Sequence, residues 1–157
     1  MFVRGTGPGA KRTGAANHIA DVPTVSADFL RNPISPKTRR MLKQAEDSML
    51  AGKHESAIQQ LEEMLAKDPV SAPYVHSLLG YEYMQTKQFT AAVKSLEHAV
   101  LLLPRDASNH TNLGISLAAV GEYHKAEEEA RRARQLAPDN PRVQLLFTAI
   151  TNHNRAK

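Results

Sequence analysis

Apolar residues recur along most of this chain at helical spacing, in runs that come in pairs. One pair of runs covers residues 74–86 and 89–103, and the next covers 108–120 and 123–136. Each run places its apolar residues on one face of a helix. A short polar turn separates the two runs of a pair, so the pattern predicts a series of helical hairpins.

The paired runs belong to a repeating unit in which small residues and prolines return at a fixed spacing of 34 residues. The matching positions are Leu79-Gly80 with Leu113-Gly114, Ala92 with Ala126, Ala99 with Ala133, and Pro104 with Pro138. A more diverged copy precedes them at a spacing of 35, which places one inserted residue near Ser71-Ala72. In that copy, Gly52, Ala57, Leu61 and Pro69 match Lys87, Ala92, Leu96 and Pro104.

A repeat of this length is typical of a solenoid of stacked helical hairpins. Gly80 and Gly114 lie midway along the first helix of a unit, and Ala92 and Ala126 lie near the start of the second. Small side chains let two helix axes approach to the short end of the usual range of about 8–10 Å. Because glycine inside a helix costs about 1 kcal/mol relative to alanine, its return at one register indicates a packing role. The proline that closes each unit cannot continue the helix before it.

The repeat resembles the tetratricopeptide repeat family, and the resemblance covers residues 37–154. The matching residues are Leu79, Gly80, Tyr83, Phe89, Ala92, Leu96, Ala99, Pro104, Leu113, Gly114, Tyr123, Ala126, Ala133 and Pro138. The chain departs from the family pattern where His76 and His110 replace an aromatic residue near the start of the first helix. Leu117 replaces a later aromatic residue, and Ala45 replaces the glycine of the first copy.

The resemblance implies an all-α fold, a right-handed α-solenoid of three helix-turn-helix hairpins followed by a C-terminal capping helix. The predicted domain is 35–154, with repeats at about 38–71, 73–106 and 107–140 and the cap at 141–154. Ser35-Pro36 and Asn140-Pro141 are good helix starts, since each pairs a capping side chain with proline at the first helical position. The first hairpin is predicted to consist of helices at 36–51 and 54–67.

The cap is expected to cover the apolar face of the last hairpin and to present polar residues outward. Its inward residues are predicted to be Val143, Leu145, Leu146, Phe147 and Ile150. Its outward residues are predicted to include Gln144, Thr151, Asn152 and Asn154.

The sequence of residues 1–34 predicts a disordered or loosely docked basic segment, because glycine and proline interrupt any periodicity of apolar positions. A short apolar island near its end consists of Ile19, Val22, Val25, Phe29 and Leu30. We interpret the segment as a lead-in that packs across the first hairpin. The alternatives are a motif that binds a partner and a natural chain that extends further upstream.

The net charge of +4 is unevenly distributed. Residues 1–40 hold seven Lys/Arg against two Asp/Glu, whereas residues 41–157 hold thirteen against fourteen. The basic character therefore belongs to the N-terminal segment, and it is weak support for nucleic-acid binding by the repeats. The sequence has no apolar run of transmembrane length and no apolar core of a secretory signal at its start. As written it predicts a cytoplasmic protein, with an exported origin open if the natural chain extends upstream.

Catalytic and metal-binding patterns are weak. The chain has no cysteine, no glycine-rich phosphate loop and no HExxH pair. His76 and His110 share a repeat position and could approach each other, but each more simply replaces an interface aromatic. Glu127 with Arg131, and Glu128 with Arg132, are predicted ion pairs at i,i+4 on a solvated face. We predict no enzyme, no cofactor and no metal.

The resemblance implies a binding groove lined by the first helix of each repeat. By repeat register, its predicted lining is Arg39, Leu42, Glu46, Met49, Tyr74, Ser77, Leu78, Tyr81, Met84, Gln85, Ser108, Thr111, Asn112, Ile115 and Ala119. Such a mixture of tyrosine, methionine, leucine and amides suits an extended or helical peptide. Some relatives clamp the C-terminal carboxylate of chaperones with Lys, Asn and Arg. Here those positions hold Leu42, Glu46, Leu78, Ser108 and Asn112, of which only Asn112 fits, so we expect no such clamp.

These observations predict a non-enzymatic module that binds a protein or peptide segment of unknown identity in its concave groove. One alternative is a structural or assembly subunit whose repeats stack on another protein chain. A third, less favoured alternative is an RNA-associated helical-repeat protein. It is less favoured because acidic residues nearly cancel the charge of the basic residues near Glu127.

Overall fold

The computed structural model describes residues 35–156. Within this range the chain forms seven α-helices and one short 3-10 helix, Pro69–Ser71, that precedes the third of them. The helices are α1 (Pro36–Leu50), α2 (His54–Lys67), α3 (Ala72–Gln85), α4 (Phe89–Leu102), α5 (Ala107–Ala119), α6 (Tyr123–Leu136) and α7 (Pro141–Arg155). The predicted segment 1–34 lies outside the described residues.

Helices α1 and α7 begin with the capping chemistry expected from the sequence. The Ser35 hydroxyl accepts from the backbone N–H of Thr38 at 3.1 Å, and Pro36 occupies the first turn. The Asn140 side chain accepts from the N–H groups of Arg142 and Val143. Helix α5 has a further cap, because the Asp106 carboxylate accepts from the N–H groups of its first turn.

The turn inside each hairpin uses one residue with a left-handed backbone. Gly52 and Gly121 have φ values of 68° and 86°, and Lys87 has φ 60° at the corresponding position of the middle hairpin. Glycine adopts this conformation at no steric cost, whereas lysine adopts it only at a steric cost because it has a Cβ atom. The three hairpins therefore share one turn geometry even where the sequence does not have glycine.

The hairpins stack in sequence along the chain. Each helix packs against the next, and α5 also contacts α3 and α7, so that the first helices of the middle and last hairpins lie side by side and the capping helix follows them. The connection to the middle hairpin differs from the next one, because the 3-10 helix Pro69–Ser71 occupies it. This is where the repeat spacing indicated one inserted residue.

The core consists of two buried clusters of aliphatic and small residues, one centred on α1–α3 and the other on α4–α7. Ala92 and Ala126 are fully buried, as the predicted helix contacts require. A Cβ atom added at Gly80 would lie 2.4 Å from Cγ of Leu96, so α3 and α4 are in direct contact at this glycine. At Gly114 the nearest atom would be Cδ2 of Leu146, at 3.0 Å.

The capping helix α7 packs largely as predicted, with two differences, at Leu145 and at Asn154. Asn154, which was predicted to point outward, is half-buried and donates through Nδ2 to Glu127 on α6. Val143, Leu146 and Ile150 are buried, whereas Leu145 is 71% exposed. Helical geometry explains the difference, because residues 143, 146 and 150 share one face and residue 145 points nearly opposite to residue 143. Phe147 is half-buried, with the Arg134 guanidinium 3.7 Å from the centre of its ring.

Candidate functional site

The predicted groove residues lie on α1, α3 and α5, and they divide into two groups by burial. Five of them are buried, namely Leu42, Tyr74, Leu78, Thr111 and Asn112. The accessible group comprises the exposed Arg39, Gln85, Ser108 and Ala119 and the half-buried Glu46, Met49, Ser77, Tyr81, Met84 and Ile115. A partner can reach only the second group directly, so the first group is better described as the floor of the groove. The assignment of the groove as a binding surface stays a prediction.

The buried residues hold the first helices in place through packing and hydrogen bonds. Leu42 and Leu78 belong to the cluster formed by α1–α3. Asn112 accepts a hydrogen bond through Oδ1 from Nη2 of Arg142, at 2.9 Å. Thr111 donates to the carbonyl of Ala107 at 2.7 Å. These contacts hold α5 in place and leave little of either polar side chain for a ligand.

Arg142 is a groove candidate that the sequence reasoning missed. It lies in the first turn of α7, it is half-buried, and it brings a cation to the side chain of Asn112. The repeat register contained the signal, because Arg142 is 34 residues after Ser108, which was assigned to the groove. It was overlooked because α7 was treated only as a cover for the last hairpin.

Glu46 is the acidic residue of the accessible group. Burial raises the pKa of its carboxyl group, Lys43 partly lowers it, and Asp47 adds to the rise. A carboxyl group whose desolvation already costs free energy gains from a donor supplied by a partner. Glu46 therefore favours a basic or amide-bearing group at the α1 end of the groove.

His76 and His110 contact different residues of the chain. The ring of His76 stacks on that of His98 with centroids 4.8 Å apart. His110 forms hydrogen bonds with Oε2 of Glu129 at 2.6 Å and with the carbonyl of Pro104 at 3.1 Å. Each histidine thus joins the first helix of its hairpin to the second. Among residues 35–156, no cluster of three or more potential ligands could hold a metal ion.

The two histidines are expected to make stability depend on pH with opposite signs. For His110, burial lowers the pKa, but the hydrogen bonds to Glu129 and Pro104 and the Glu129 charge outweigh burial and Arg132, and the net pKa is raised. The stability that His110 contributes is present below the ordinary histidine pKa of about 6.5. It is lost as the pH rises through the pKa of His110 in the folded state. For His76, burial and then His98 lower the pKa, so its contribution is lost as pH falls.

Chemical denaturation of the two single variants at several pH values tests this expectation. His110→Gln should lower the unfolding free energy more at about pH 6 than at about pH 9. His76→Gln, the matched control at the same repeat position, should show the reverse trend. Parallel pH profiles for the two variants would contradict the opposite pKa shifts assigned to His110 and His76.

The charged face of α6 is only partly as predicted. Arg131 contacts Glu127 at 2.5 Å, which is the expected i,i+4 pair. Glu127 also accepts from Nδ2 of Asn154 at 2.7 Å, so it ties α7 to α6. Arg132 donates to Gln135 at 3.2 Å, in place of the predicted pair with Glu128. The face is therefore partly structural, and its bases are engaged within the chain.

Within the described part of the chain, no helix combines the length and the apolar character needed to cross a bilayer.

Comparisons with known proteins agree on one architecture. The family model for the tetratricopeptide repeat matches residues 74–105, which span the middle hairpin. No curated protein matches the chain. The all-α solenoid predicted from the repeat is confirmed by the solved structures that it matches.

Three of these structures illustrate the match. The first tetratricopeptide domain of Spaghetti (RPAP3), bound to an HSP90 peptide, has a TM-score of 0.73 at 19% identity, covering 79% of this chain and 98% of that one. The Sgt2 domain from Aspergillus fumigatus has a TM-score of 0.70 at 16% identity, covering 77% and 81%. The MamA protein has a TM-score of 0.68 at 23% identity, covering 73% and 62%. The middle hairpin therefore matches the tetratricopeptide repeat model, and the described domain has the fold of the solved tetratricopeptide repeat structures.

Proposed function

We propose that the chain is a non-enzymatic interaction module that binds a protein or peptide segment in the groove of its first helices. The observation that carries the proposal is a row of accessible Tyr81, Met84 and Ile115 above a closely packed floor. Aromatic residues and methionine are enriched where proteins bind each other. The row is continuous because α3 and α5 contact each other directly.

The geometry supports a segment that alternates apolar and polar side chains. Tyr81 and Ile115 occupy the same register in successive hairpins, so an elongated partner can place one apolar side chain against each. Exposed polar residues also lie on the first helices and can fix its orientation through hydrogen bonds, namely Arg39 on α1, Gln85 on α3 and Ser108 on α5. Structural relatives lend support, since two domains of RPAP3 were solved with HSP90 and HSP70 peptides.

We infer that the partner is recognised differently from those chaperone peptides. At the positions of the carboxylate clamp, Leu42 and Leu78 are buried and carry no charge. Glu46 would repel a terminal carboxylate. Asn112 is engaged with Arg142. A partner that presents apolar anchors and hydrogen-bond donors suits this groove better than an acidic C-terminus.

Tyr81→Ala is expected to weaken partner capture by about tenfold or more while leaving the fold intact, because an aromatic anchor at an interface contributes about 1–2 kcal/mol or more. The measurement is affinity purification from an extract of the native cell, with circular dichroism to verify the fold. Gln59→Ala, at an exposed position of α2, is the control and should capture the same partner as wild type. Equal capture by both variants would count against the groove.

A further inference from the structure

The groove of the first helices has a counterpart on α7 in the same register. Arg142, Leu145 and Ala149 each lie 34 residues after a predicted groove residue, namely Ser108, Thr111 and Ile115. Helix α5 contacts both α3 and α7. Residues at equal positions of stacked repeats face the same side of a solenoid. The three residues of α7 therefore continue the groove beyond α5, and we call them the α7 extension.

Leu145 is the large apolar residue of the α7 extension, and it is 71% exposed. Arg142 and Ala149 lie three and four residues away from it, so they share its face of the helix. Phe147 lies about 160° around the helix from Leu145, and the Arg134 guanidinium on α6 covers its ring. Leu145 is therefore on the groove side of α7, away from the contact between Phe147 and α6.

With Leu145, the accessible apolar surface of the groove reaches three helices. Tyr81 and Met84 on α3 and Ile115 on α5 are half-buried, and Leu145 on α7 is exposed. The axes of packed helices lie about 8–10 Å apart, so the distance from α3 to α7 is roughly 20 Å, which about six residues of an extended chain can span. An apolar side chain that covers the exposed leucine removes both from water, which is favourable. One short segment can therefore contact α3, α5 and α7 together.

Arg142 gives the α7 extension a positive charge. Its Nη2 donates to Oδ1 of Asn112 at 2.9 Å, and this hydrogen bond holds the guanidinium beside the floor of the groove. The residues in the same register on α3 and α5 carry no charge, and they are Tyr74, Ser77, Tyr81, Ser108, Thr111 and Ile115. A guanidinium has five N–H donors in a planar arrangement that matches a carboxylate. This end of the groove therefore favours an acidic side chain beside a large apolar one.

We propose that α7 is the end wall of the binding groove, and that it binds the part of a protein partner in which an acidic side chain lies next to a large apolar one. The apolar side chain covers Leu145, and the carboxylate pairs with Arg142. The inference rests on the proposed function, because it assigns a recognition role to one end of the same groove. Helix α7 then has a second role besides covering the last hairpin.

Peptide selection with the full-length chain tests the inference. The probe is a library of random linear peptides displayed on phage and fused at their C-termini, so that no terminal carboxylate is free. Enriched peptides are synthesised with an amidated C-terminus, and their Kd is measured by fluorescence anisotropy. The variant is Leu145→Gln, and the matched control is Leu101→Gln, because Leu101 is 75% exposed on α4, outside the groove. Circular dichroism verifies the fold of each variant.

We expect the enriched peptides to carry Asp or Glu next to a large apolar residue. Leu145→Gln should weaken their binding by about fivefold or more, and Leu101→Gln should leave it unchanged. Changing the acidic residue of the peptide to its amide should weaken binding to the natural chain by about threefold. The same change should have no further effect on binding to the variant Arg142→Gln, which lacks the cation.

Tyr81→Ala separates this inference from the proposed function. Peptides that bind Tyr81→Ala weakly but bind Leu145→Gln as tightly as the natural chain would overturn the role of α7 and leave the groove in place. Peptides that bind both variants as tightly as the natural chain would overturn the groove itself and its extension with it, and so would a selection that enriches no peptide. Equal losses of affinity from Leu101→Gln and Leu145→Gln would also overturn the α7 extension.

Discussion

Replacing Gly80 with leucine is expected to lower the unfolding free energy by about 1–3 kcal/mol. A Cβ atom at this position would lie 2.4 Å and 2.6 Å from two carbons of Leu96, closer than real side chains approach. Leu96 is completely buried in the cluster formed by α4–α7, so it has no open space into which to move. Helix propensity alone predicts the opposite sign, because leucine is favoured over glycine inside a helix by somewhat less than about 1 kcal/mol. A net loss of stability would therefore report the contact between α3 and α4.

Gln85→Leu provides the matched control for this experiment. It places the same side chain on the same helix at an exposed position, where substitutions usually change stability by no more than about 0.5 kcal/mol. Urea denaturation of both variants gives the comparison. An unchanged midpoint for Gly80→Leu would show that α3 and α4 are not packed in the register described.

Removing the side chain of His54 is expected to cost about 2–3 kcal/mol, because it leaves a buried carboxyl group without a partner. Glu82 is 1% exposed, and its Oε2 lies 2.8 Å from Nδ1 of His54. Its other oxygen has no hydrogen-bond partner among the described residues. The His54 side chain is 35% exposed, so water can partly replace it, and the expected cost is below that of a fully enclosed pair. The contact joins α2 of the first hairpin to α3 of the second.

A double-mutant cycle distinguishes this interaction from a general effect of truncating His54. Glu82→Met keeps a similar volume and removes the carboxyl group, so the double variant with His54→Ala should recover most of the lost stability. Thermal or urea unfolding of the two single variants and the double variant provides the measurement. Strictly additive effects would mean that the two side chains are not coupled.

The fold was largely predictable because the repeat specifies it several times. Each helix carries its own apolar periodicity, and the shared spacing of Gly80 and Gly114 indicated where helices cross. Lys87 shows where this reasoning has a limit. Its left-handed backbone follows from the hairpin geometry that Gly52 and Gly121 reveal, and nothing in the lysine itself predicts it. The exposed Leu145 shows a second limit, since one residue of displacement along a helix moves a side chain by about 100°.

The candidate site was less predictable, because the repeat register assigns each residue to a position on its helix but does not show whether that residue is buried. Thr111 and Asn112 are both buried, and Asn112 contacts Arg142 on α7, so the burial depends on residues distant in the sequence. Glu82 was also missed, although Ser116 occupies the same register and is buried as well. A polar residue inside an otherwise apolar run was the available signal.

The most direct test of the binding groove is a photo-crosslinking comparison between its two faces. A photoreactive phenylalanine analogue is introduced at Tyr81 on α3 or at Gln59 on α2, and each protein is irradiated in native cell extract. A specific covalent adduct is expected from position 81 and none from position 59. An adduct formed at position 59 and absent at position 81 would contradict it and would assign partner binding to the second helices.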